Sequence, residues 1–231
     1  MSPVAEQPSV ATAVAGYSVA GSSVAGSPRR ERKKQQTRDA LVRAAMRLFD
    51  AKGYEHTAVR EITDAVDVSE RTFFRYFANK EDLAVSFARD ATDSLVRELV
   101  ARPPDEAPLT ALRNAFHEAQ RTLAEDDGPH AEESMYLLVI RLIDSTPSLL
   151  AAHLRYMHDH EDDIVGVLAS REGVDPETDP RPRIVAMVFG GLTFLANRDW
   201  RARGGGSVAS MLAAFDAFAE QVGPAVSGHW S

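Results

Sequence analysis

The sequence predicts an all-α protein of about nine helices, in which helix four joins a three-helix N-terminal domain to a larger helical domain. Three observations support this fold class. Apolar residues recur at helical spacing in successive segments from Arg38 onward. Capping residues, prolines and glycines lie between these segments. No segment of any length alternates apolar and polar residues as a half-buried β-strand would.

The first four helices are predicted from an apolar stripe and from their caps. The stripe of helix one consists of Leu41, Ala44, Ala45, Leu48 and Phe49. Gly53 is placed to end that helix, and Thr57 is expected to cap helix two. Ser69 is expected to cap helix three, from Glu70 to about Phe77, and Asn79 to cap helix four.

Breakers separate the remaining helices. Helix four should end at Pro103-Pro104, and helix five should begin near Pro108. The later breaks are predicted at Asp127-Gly128-Pro129, at Thr146-Pro147, at Pro176, Pro180 and Pro182, and at the glycines 204–206. Helix nine then carries a long amphipathic stripe from Val208 to Val222.

Charge divides the chain into a basic N-terminal part and an acidic remainder. The 231 residues have a net charge of −8, yet residues 29–80 contain 13 Lys and Arg against 8 Asp and Glu. We therefore place a basic arm with the three-helix domain at residues 29–82, and an acidic helical domain at residues 83–225. The repetitive segment 1–28 is expected to be a disordered, low-complexity tail, and residues 226–231 a second tail.

Composition also excludes several classes of protein. The sequence has no Cys, so it has no disulfide framework, thiolate nucleophile or Cys-based metal site. No apolar run approaches the ~18 residues of a membrane helix. The segment before Arg29 has no Lys or Arg, and so lacks the basic region of a secretory signal. We expect a cytoplasmic protein without membrane contact.

Helices two and three have the spacing of a helix-turn-helix. The second helix of such a unit can lie in a DNA major groove about 12 Å wide. Apolar positions would face helix one, which leaves Glu70, Arg71 and Arg75 among the outward-facing residues. Because Arg donates a two-pronged hydrogen bond to guanine O6 and N7, Arg71 and Arg75 are predicted to read bases. A three-helix hairpin with an exposed basic face is the alternative.

Other residues are placed to contact phosphates. Thr57 is expected at the start of helix two, where unpaired backbone N–H groups favour an anion, and Lys80 lies just past helix three. Ahead of helix one lies a basic cluster of Arg29, Arg30, Arg32, Lys33 and Lys34. We expect this cluster to be a mobile arm that follows the minor groove or the phosphates.

The two stretches GYEHTAVREI, from Gly53, and VSERTFFRYFANKEDL, from Val68, resemble the N-terminal signature of the TetR family of transcriptional regulators, within residues 37–83. The resemblance implies a homodimer, generally a repressor, that binds a pseudo-palindromic operator in double-stranded DNA. It implies base-facing positions for Glu70, Arg71 and Arg75. It also implies phosphate contacts from Thr57, Thr72, Tyr76 and Lys80.

Two positions depart from the family pattern. Asp67 stands where the turn usually has Gly, although Asp tolerates a left-handed backbone better than most residues. Phe74 stands where Tyr is common, so a phosphate hydrogen bond that is often made at this position is lost.

The C-terminal region, over roughly residues 105–220, resembles the ligand domain of actinobacterial-type TetR regulators. The resemblance lies in Thr146 to Leu150, around Asp175-Pro176, and in Arg198 to Trp200 before a glycine-rich loop. That group is associated with acyl-CoA-like ligands and, in part, with mycofactocin-linked systems. The resemblance therefore implies a small apolar or acyl-CoA-like effector that releases the protein from its operator.

Helices five to nine supply candidates for a ligand pocket and for a dimer interface. The pocket candidates are Phe116, His117, Met135, Tyr136, Val139, Leu142, Met157, Phe189 and Phe194, with Arg141 as another polar handle. The interface candidates are Ile184, Val188, Leu195, Phe215 and Phe218. Residues at this spacing also form an ordinary core, so both sets compete with that interpretation.

Other functions have weaker support. His153, His158 and His160 lie among acidic residues, but His158 and His160 point to different helix faces, so a solvated acidic face is favoured over a metal site. The sequence contains no G-x-S-x-G, GxxxxGK[ST], GxGxxG or HExxH motif. We expect no cofactor, no metal and no enzymatic activity. A ligand-independent DNA-binding regulator and a helical enzyme stay as alternatives.

Overall fold

A computed structural model of the chain describes residues 28–126 and 135–227, and the regular structure in these two ranges is entirely α-helical. The all-α prediction is confirmed. The predictions for residues 1–27, for the break at residues 127–129 and for residues 228–231 lie outside the described residues.

The described residues form ten helices. The N-terminal ones are α1 (Pro28–Lys52), α2 (Val59–Asp64), α3 (Glu70–Phe74) and α4 (Lys80–Ala101). The others are α5 (Pro108–Asp126), α6 (Met135–Ser145), α7 (Pro147–Asp159), α8 (Glu161–Glu172), α9 (Arg181–Ala202) and α10 (Val208–Ser227). The predicted seventh helix is two helices, because the backbone leaves the helical conformation at His160, with ψ near 7°.

Helix α1 begins earlier than predicted. The periodic apolar pattern begins near Arg38, but the helix begins at Pro28, whose fixed φ suits the first turn. Arg29, Arg30, Lys33 and Lys34 are therefore exposed residues of a helix and not part of an irregular arm. The prediction that these residues precede helix one is wrong, because they continue the helical hydrogen-bonding of α1. Their contact with DNA stays a prediction.

The core of the N-terminal domain extends beyond its own three helices. Leu41, Ala45, Ile62, Phe73 and Leu83 are fully buried in one cluster. The same cluster includes residues of α6 and α7, namely Val139, Ile143 and Leu149. The N-terminal domain therefore packs on helices of the larger domain through one continuous apolar core.

A triangle of phenylalanines lies in the core of the C-terminal domain. Phe116 of α5, Phe189 of α9 and Phe215 of α10 have ring centroids 5.2–5.7 Å apart. Phe215 is fully buried, so its assignment to a dimer interface is wrong. Trp200 is also buried here, and its indole N–H donates to Ser210 Oγ at 3.0 Å. Packing of this kind is worth several kcal/mol per large aromatic side chain.

Within the described residues, no single helix is long and apolar enough to span a membrane. Taken together, α6 and the α7–α8 segment, which are bent by 110°, satisfy the criteria of length and composition alone.

Candidate nucleic-acid interface

Helices α2 and α3 are joined by a left-handed turn at Asp67. Asp67 has φ of +52°, and it is the one residue other than Gly with a positive φ among those described. The Val68 N–H donates to Thr63 O at 3.1 Å across the turn. The predicted turn therefore forms without glycine, because Asp can adopt this conformation.

Helix α3 is capped as predicted but is shorter. Ser69 Oγ accepts a hydrogen bond from the Thr72 N–H at 3.2 Å. The α-helix ends at Phe74 and not near Phe77, and the chain then turns through Arg75 and Tyr76. The buried rings of Phe73 and Phe77, 5.6 Å apart, anchor this short element to the core.

The outward face of α3 has the charged residues that the sequence predicts. Glu70, Arg71 and Arg75 are exposed, whereas Thr72 and Tyr76 are half-buried. Arg75 Nη2 donates to Tyr76 Oη at 3.2 Å, and the guanidinium lies 5.0 Å from the centre of the Tyr76 ring. Thr72 Oγ1 lies 3.0 Å from Ser69 Oγ. Contact of these residues with bases or phosphates stays a prediction.

Phe74 is a surface residue. From the sequence it was noted only because it lacks the hydroxyl of the Tyr that is common at this position. It is 54% exposed on the same short helix as Arg71. The helical pattern assigned Phe73 and Phe77 to the core and assigned Phe74 to neither face, so the exposure of Phe74 comes from the structure.

Thr57 does not have the predicted geometry. The N-cap of α2 is Ala58, whose N–H donates to Glu61 Oε2 at 2.8 Å. Hydrogen bonds from Lys52 and from that N–H lower the pKa of Glu61. Thr57 is 2% exposed, and its hydroxyl donates to Gly53 O at 2.9 Å. Its prediction as a cap is therefore wrong, and its side chain is enclosed instead of presented to a phosphate.

Lys80, at the start of α4, forms hydrogen bonds to the loop before α2. Its Nζ donates to Tyr54 O at 2.6 Å and to Thr57 O at 3.0 Å, and it lies 4.1 Å from the centre of the Tyr54 ring. Burial, with smaller contributions from Glu81 and Glu55, raises the pKa of Tyr54 to about 12. An ammonium has three N–H groups, so one donor is left for the predicted phosphate contact.

The start of α4 is capped by Asn79. Asn79 Oδ1 accepts from the Asp82 N–H at 2.7 Å, as predicted. Asp82 Oδ2 accepts from the Ala78 N–H at 2.9 Å, one residue earlier than in a capping box. These bonds fix where α4 leaves the N-terminal domain.

A cavity of about 550 Å³ lies between α1 and helices α4, α5 and α6. Charged residues of α1 and α4 line it, including Arg38, Arg43, Asp90 and Asp93. Burial, with the neighbouring Asp90 charge, raises the pKa of Asp93. Of the nine predicted pocket residues, only Met135 lines this cavity.

The other eight predicted pocket residues are dispersed. Phe116 and Phe189 pack in the aromatic core, and Val139 and Leu142 lie beneath the N-terminal domain. Tyr136 is buried, and burial strongly raises its pKa. His117 Nε2 lies 2.9 Å from Asp216 Oδ1, Phe194 is exposed on α9, and Met157 is half-buried. The predicted set does not form one pocket, because helical spacing does not distinguish a pocket wall from a core.

Helix α9 has an exposed apolar face. Ile184, Met187, Phe194 and Leu195 are all exposed on it, and Val188 is half-buried. Their spacing places Ile184, Met187, Phe194 and Leu195 along one side of the helix, together with Gly191. The interface candidates Ile184 and Leu195 thus lie on a free surface of the chain, while Phe218 packs partly against the core.

The described side chains around His153, His158 and His160 do not form a metal site. Among the described residues, no group of three or more His, Asp or Glu side chains is arranged to hold a metal ion. His160 Nδ1 lies 2.9 Å from Tyr156 O, and burial lowers the pKa of His153.

Both the N-terminal and the C-terminal part of the chain match family models of known proteins. The family model for bacterial regulatory proteins of the tetR family matches residues 41–87, and the model for the MftR C-terminal domain matches residues 106–223. The HTH-type transcriptional regulator TcmR of Streptomyces glaucescens is 35% identical over 201 residues, which cover 87% of this chain and 89% of that protein.

Solved structures with a similar fold include two regulators. Thermus thermophilus FadR, a TetR-family repressor in complex with lauroyl-CoA, has a TM-score of 0.50 at 25% identity, covering 84% of this chain and 97% of that chain. A transcriptional regulator from Aquifex aeolicus VF5 has a TM-score of 0.51 at 16% identity, covering 80% and 99%, which is a likeness of fold alone. Together with the helix-turn-helix geometry, the match to TcmR and to both family models means that the chain belongs to the TetR family of DNA-binding transcriptional regulators, with an MftR-type C-terminal domain.

Proposed function

We propose that the protein is a homodimeric repressor that binds a pseudo-palindromic operator and leaves it when a small ligand binds. One observation carries the proposal: α3 and its C-cap present Arg71 and Arg75 to solvent, and the buried Phe73 anchors this helix. A two-fold dimer would place two such helices in successive major grooves, about one helical turn apart.

The exposed face of α9 supports the dimer. Met187 is 66% exposed and Ile184 is 54% exposed, which is costly for a free surface. A Cβ added at Gly190 or Gly191 would meet no atom of the chain within 4 Å, so packing within the chain does not require glycine there. Glycine on an exposed apolar face permits close approach of a partner helix. We place the two-fold axis between α9 and its symmetry mate, with α10 beside α9.

The cavity between α1 and α4–α6 supports control by a ligand. It is bordered both by a helix of the DNA-binding domain and by helices of the larger domain. A molecule that prefers one spacing of α1 and α4 would shift the population of DNA-binding conformations by its difference in affinity. An acyl-CoA-like effector is our first candidate, since the FadR relative is in complex with lauroyl-CoA.

An electrophoretic shift assay tests the proposed function. Duplexes selected from a random pool by the full-length protein should contain an inverted repeat, and inserting about five base pairs between its halves should abolish binding, because it rotates them by half a turn. Lauroyl-CoA should then release the selected duplex.

Other outcomes of that assay contradict the proposal. Binding that no effector reverses would support a ligand-independent regulator, and the absence of any selected duplex would reject DNA recognition altogether. A variant with Met187→Asp tests the dimer, since it should sediment as a monomer and lose the inverted-repeat preference.

A further inference from the structure

An exposed phenylalanine lies within the charged surface of α3. Phe74 has 54% of its surface exposed, whereas Phe73 and Phe77 on either side are buried. Residues three and four positions apart share a helix face, so Arg71 and Phe74 of α3 lie on one side with Arg75, the C-cap residue, whose backbone is still helical. The ring packs on Phe73 and leaves about half of its surface free for contact with another molecule.

The ring of Phe74 is held in place. It stacks edge-to-face on Phe73, with ring centroids 5.3 Å apart and an interplanar angle of 82°. Phe73 is itself fully buried, and the Ser69 cap fixes the first turn of the helix. The exposed ring is therefore presented from an anchored position beside the two arginines.

The chemistry of the major groove suggests what the ring contacts. A phenyl ring has no hydroxyl, so it cannot donate a hydrogen bond to a phosphate as Tyr would. Base edges in the major groove present one apolar group, the C5-methyl of thymine, and Phe is one of the side chains that contact it. The flanking Arg71 and Arg75 would hold the helix in that groove through guanine or phosphate contacts.

We propose that Phe74 is a specificity-determining residue that packs on the C5-methyl of one thymine in each operator half-site. The proposal rests on the DNA-binding function described above. It assigns to Phe74 a choice between thymine and other bases, in addition to the guanine preference expected from the arginines.

Replacing thymine by uracil in the selected operator tests this contact directly, because uracil lacks only the methyl group. Each thymine is exchanged in turn, and binding of the full-length protein is measured at fixed salt. We expect one position per half-site to bind about fourfold more weakly, and the doubly exchanged operator about sixteenfold more weakly, as for the loss of a buried methyl.

Variants of Phe74 assign that effect to the ring. Phe74→Ala should bind the thymine and uracil operators equally, while Phe74→Tyr, which keeps the ring, should preserve the difference. Leu154→Ala is a matched control, because Leu154 is an exposed apolar residue of α7 and should leave all affinities unchanged. If Phe74→Ala lowers the melting temperature, Phe74→Gln, with a good helix former, is measured instead.

Three results would overturn the proposal. In one, no thymine is sensitive to loss of its methyl. In another, Phe74→Ala weakens binding but keeps the thymine–uracil difference, so that the ring contacts the sugar–phosphate backbone. In the third, Phe74→Ala alters the sedimentation of the free protein, so that the ring contacts a second copy. Failure of the proposed function itself is distinct, since no duplex would then be selected.

Discussion

Arg38 of α1 and Asp90 of α4 form a doubly hydrogen-bonded ion pair, with Nη1–Oδ2 and Nη2–Oδ1 distances of 2.7 and 3.1 Å. The Arg38 guanidinium also lies 5.7 Å from the centre of the Phe77 ring, just beyond α3. Both members of the pair line the cavity between the domains. One arginine thus connects the end of the recognition unit, the helix that leads to the larger domain, and the candidate ligand site.

Removing the Arg38–Asp90 ion pair should weaken the packing of α1 on α4 and should leave the base preference of the protein unchanged. Since the side chains are 22% and 45% exposed, we expect a double-mutant cycle of Arg38→Ala and Asp90→Ala to give a coupling of about 0.5–1 kcal/mol in urea unfolding. The Arg60–Asp64 pair is a matched control, because at 80% and 70% exposure it should give none. Equal coupling in both cycles would contradict a special role for Arg38.

Lys80 should contribute to stability as well as to DNA affinity. Lys80→Met removes a charged donor from two backbone carbonyls, so we expect about 1–2 kcal/mol lower free energy of unfolding. Operator binding should weaken for all sequences, with a flatter salt dependence. Lys34→Met, at an exposed residue of α1, should flatten the salt dependence without loss of stability. Identical melting temperatures for the two variants would show that the Lys80 contacts are not formed.

The left-handed conformation of Asp67 gives a prediction about the turn. Asp67→Gly should stay within about 0.5 kcal/mol of the parent, because relief of the positive φ is offset by the entropy of the unfolded chain. Asp67→Ile should destabilise the protein by about 1–2 kcal/mol, since a β-branched residue is strained there. Chemical denaturation measures both, and equal tolerance of Ile and Gly would contradict a positive φ.

Asp216 should make the larger domain sensitive to acid. Burial alone would raise its pKa, but hydrogen bonds from Arg113 and His117 outweigh burial and lower the pKa below the ordinary 3.8. A carboxyl with a lowered folded-state pKa stabilises the protein above pH ~4 and loses that contribution as pH falls through the folded pKa. Asp216→Asn should therefore have a smaller fall in melting temperature between pH 6 and 3 than the parent. An unchanged fall would contradict the contact.

Local signals predicted the DNA-binding unit well. Ser69 and Asn79 are caps whose hydrogen bonds involve residues within three positions, so the sequence is enough to place them. The turn at Asp67 follows from the same short-range pattern. So do the buried position of Phe73 and the exposed positions of the charged residues on α3. The cap of α2 was misplaced by one residue, because Thr57 instead bonds back to the end of α1.

Long-range relationships could not be predicted. The bond between Arg38 and Asp90 joins residues 52 positions apart, and no local pattern pairs them. The apolar residues Phe189, Phe194 and Phe215 all have helical spacing, yet one is exposed and two are in the core. Which face of α9 or α10 is covered depends on how the helices pack, and that information is absent from periodicity.

The central claim is that Arg71, carried on α3 of each subunit, reads a base in each half of a symmetric operator. Selection from random duplexes by the parent protein and by Arg71→Ala measures this most directly. We predict an inverted repeat in which one guanine position per half-site loses its preference in the variant, with affinity reduced by about 1–3 kcal/mol. An unchanged base preference in Arg71→Ala would contradict the claim.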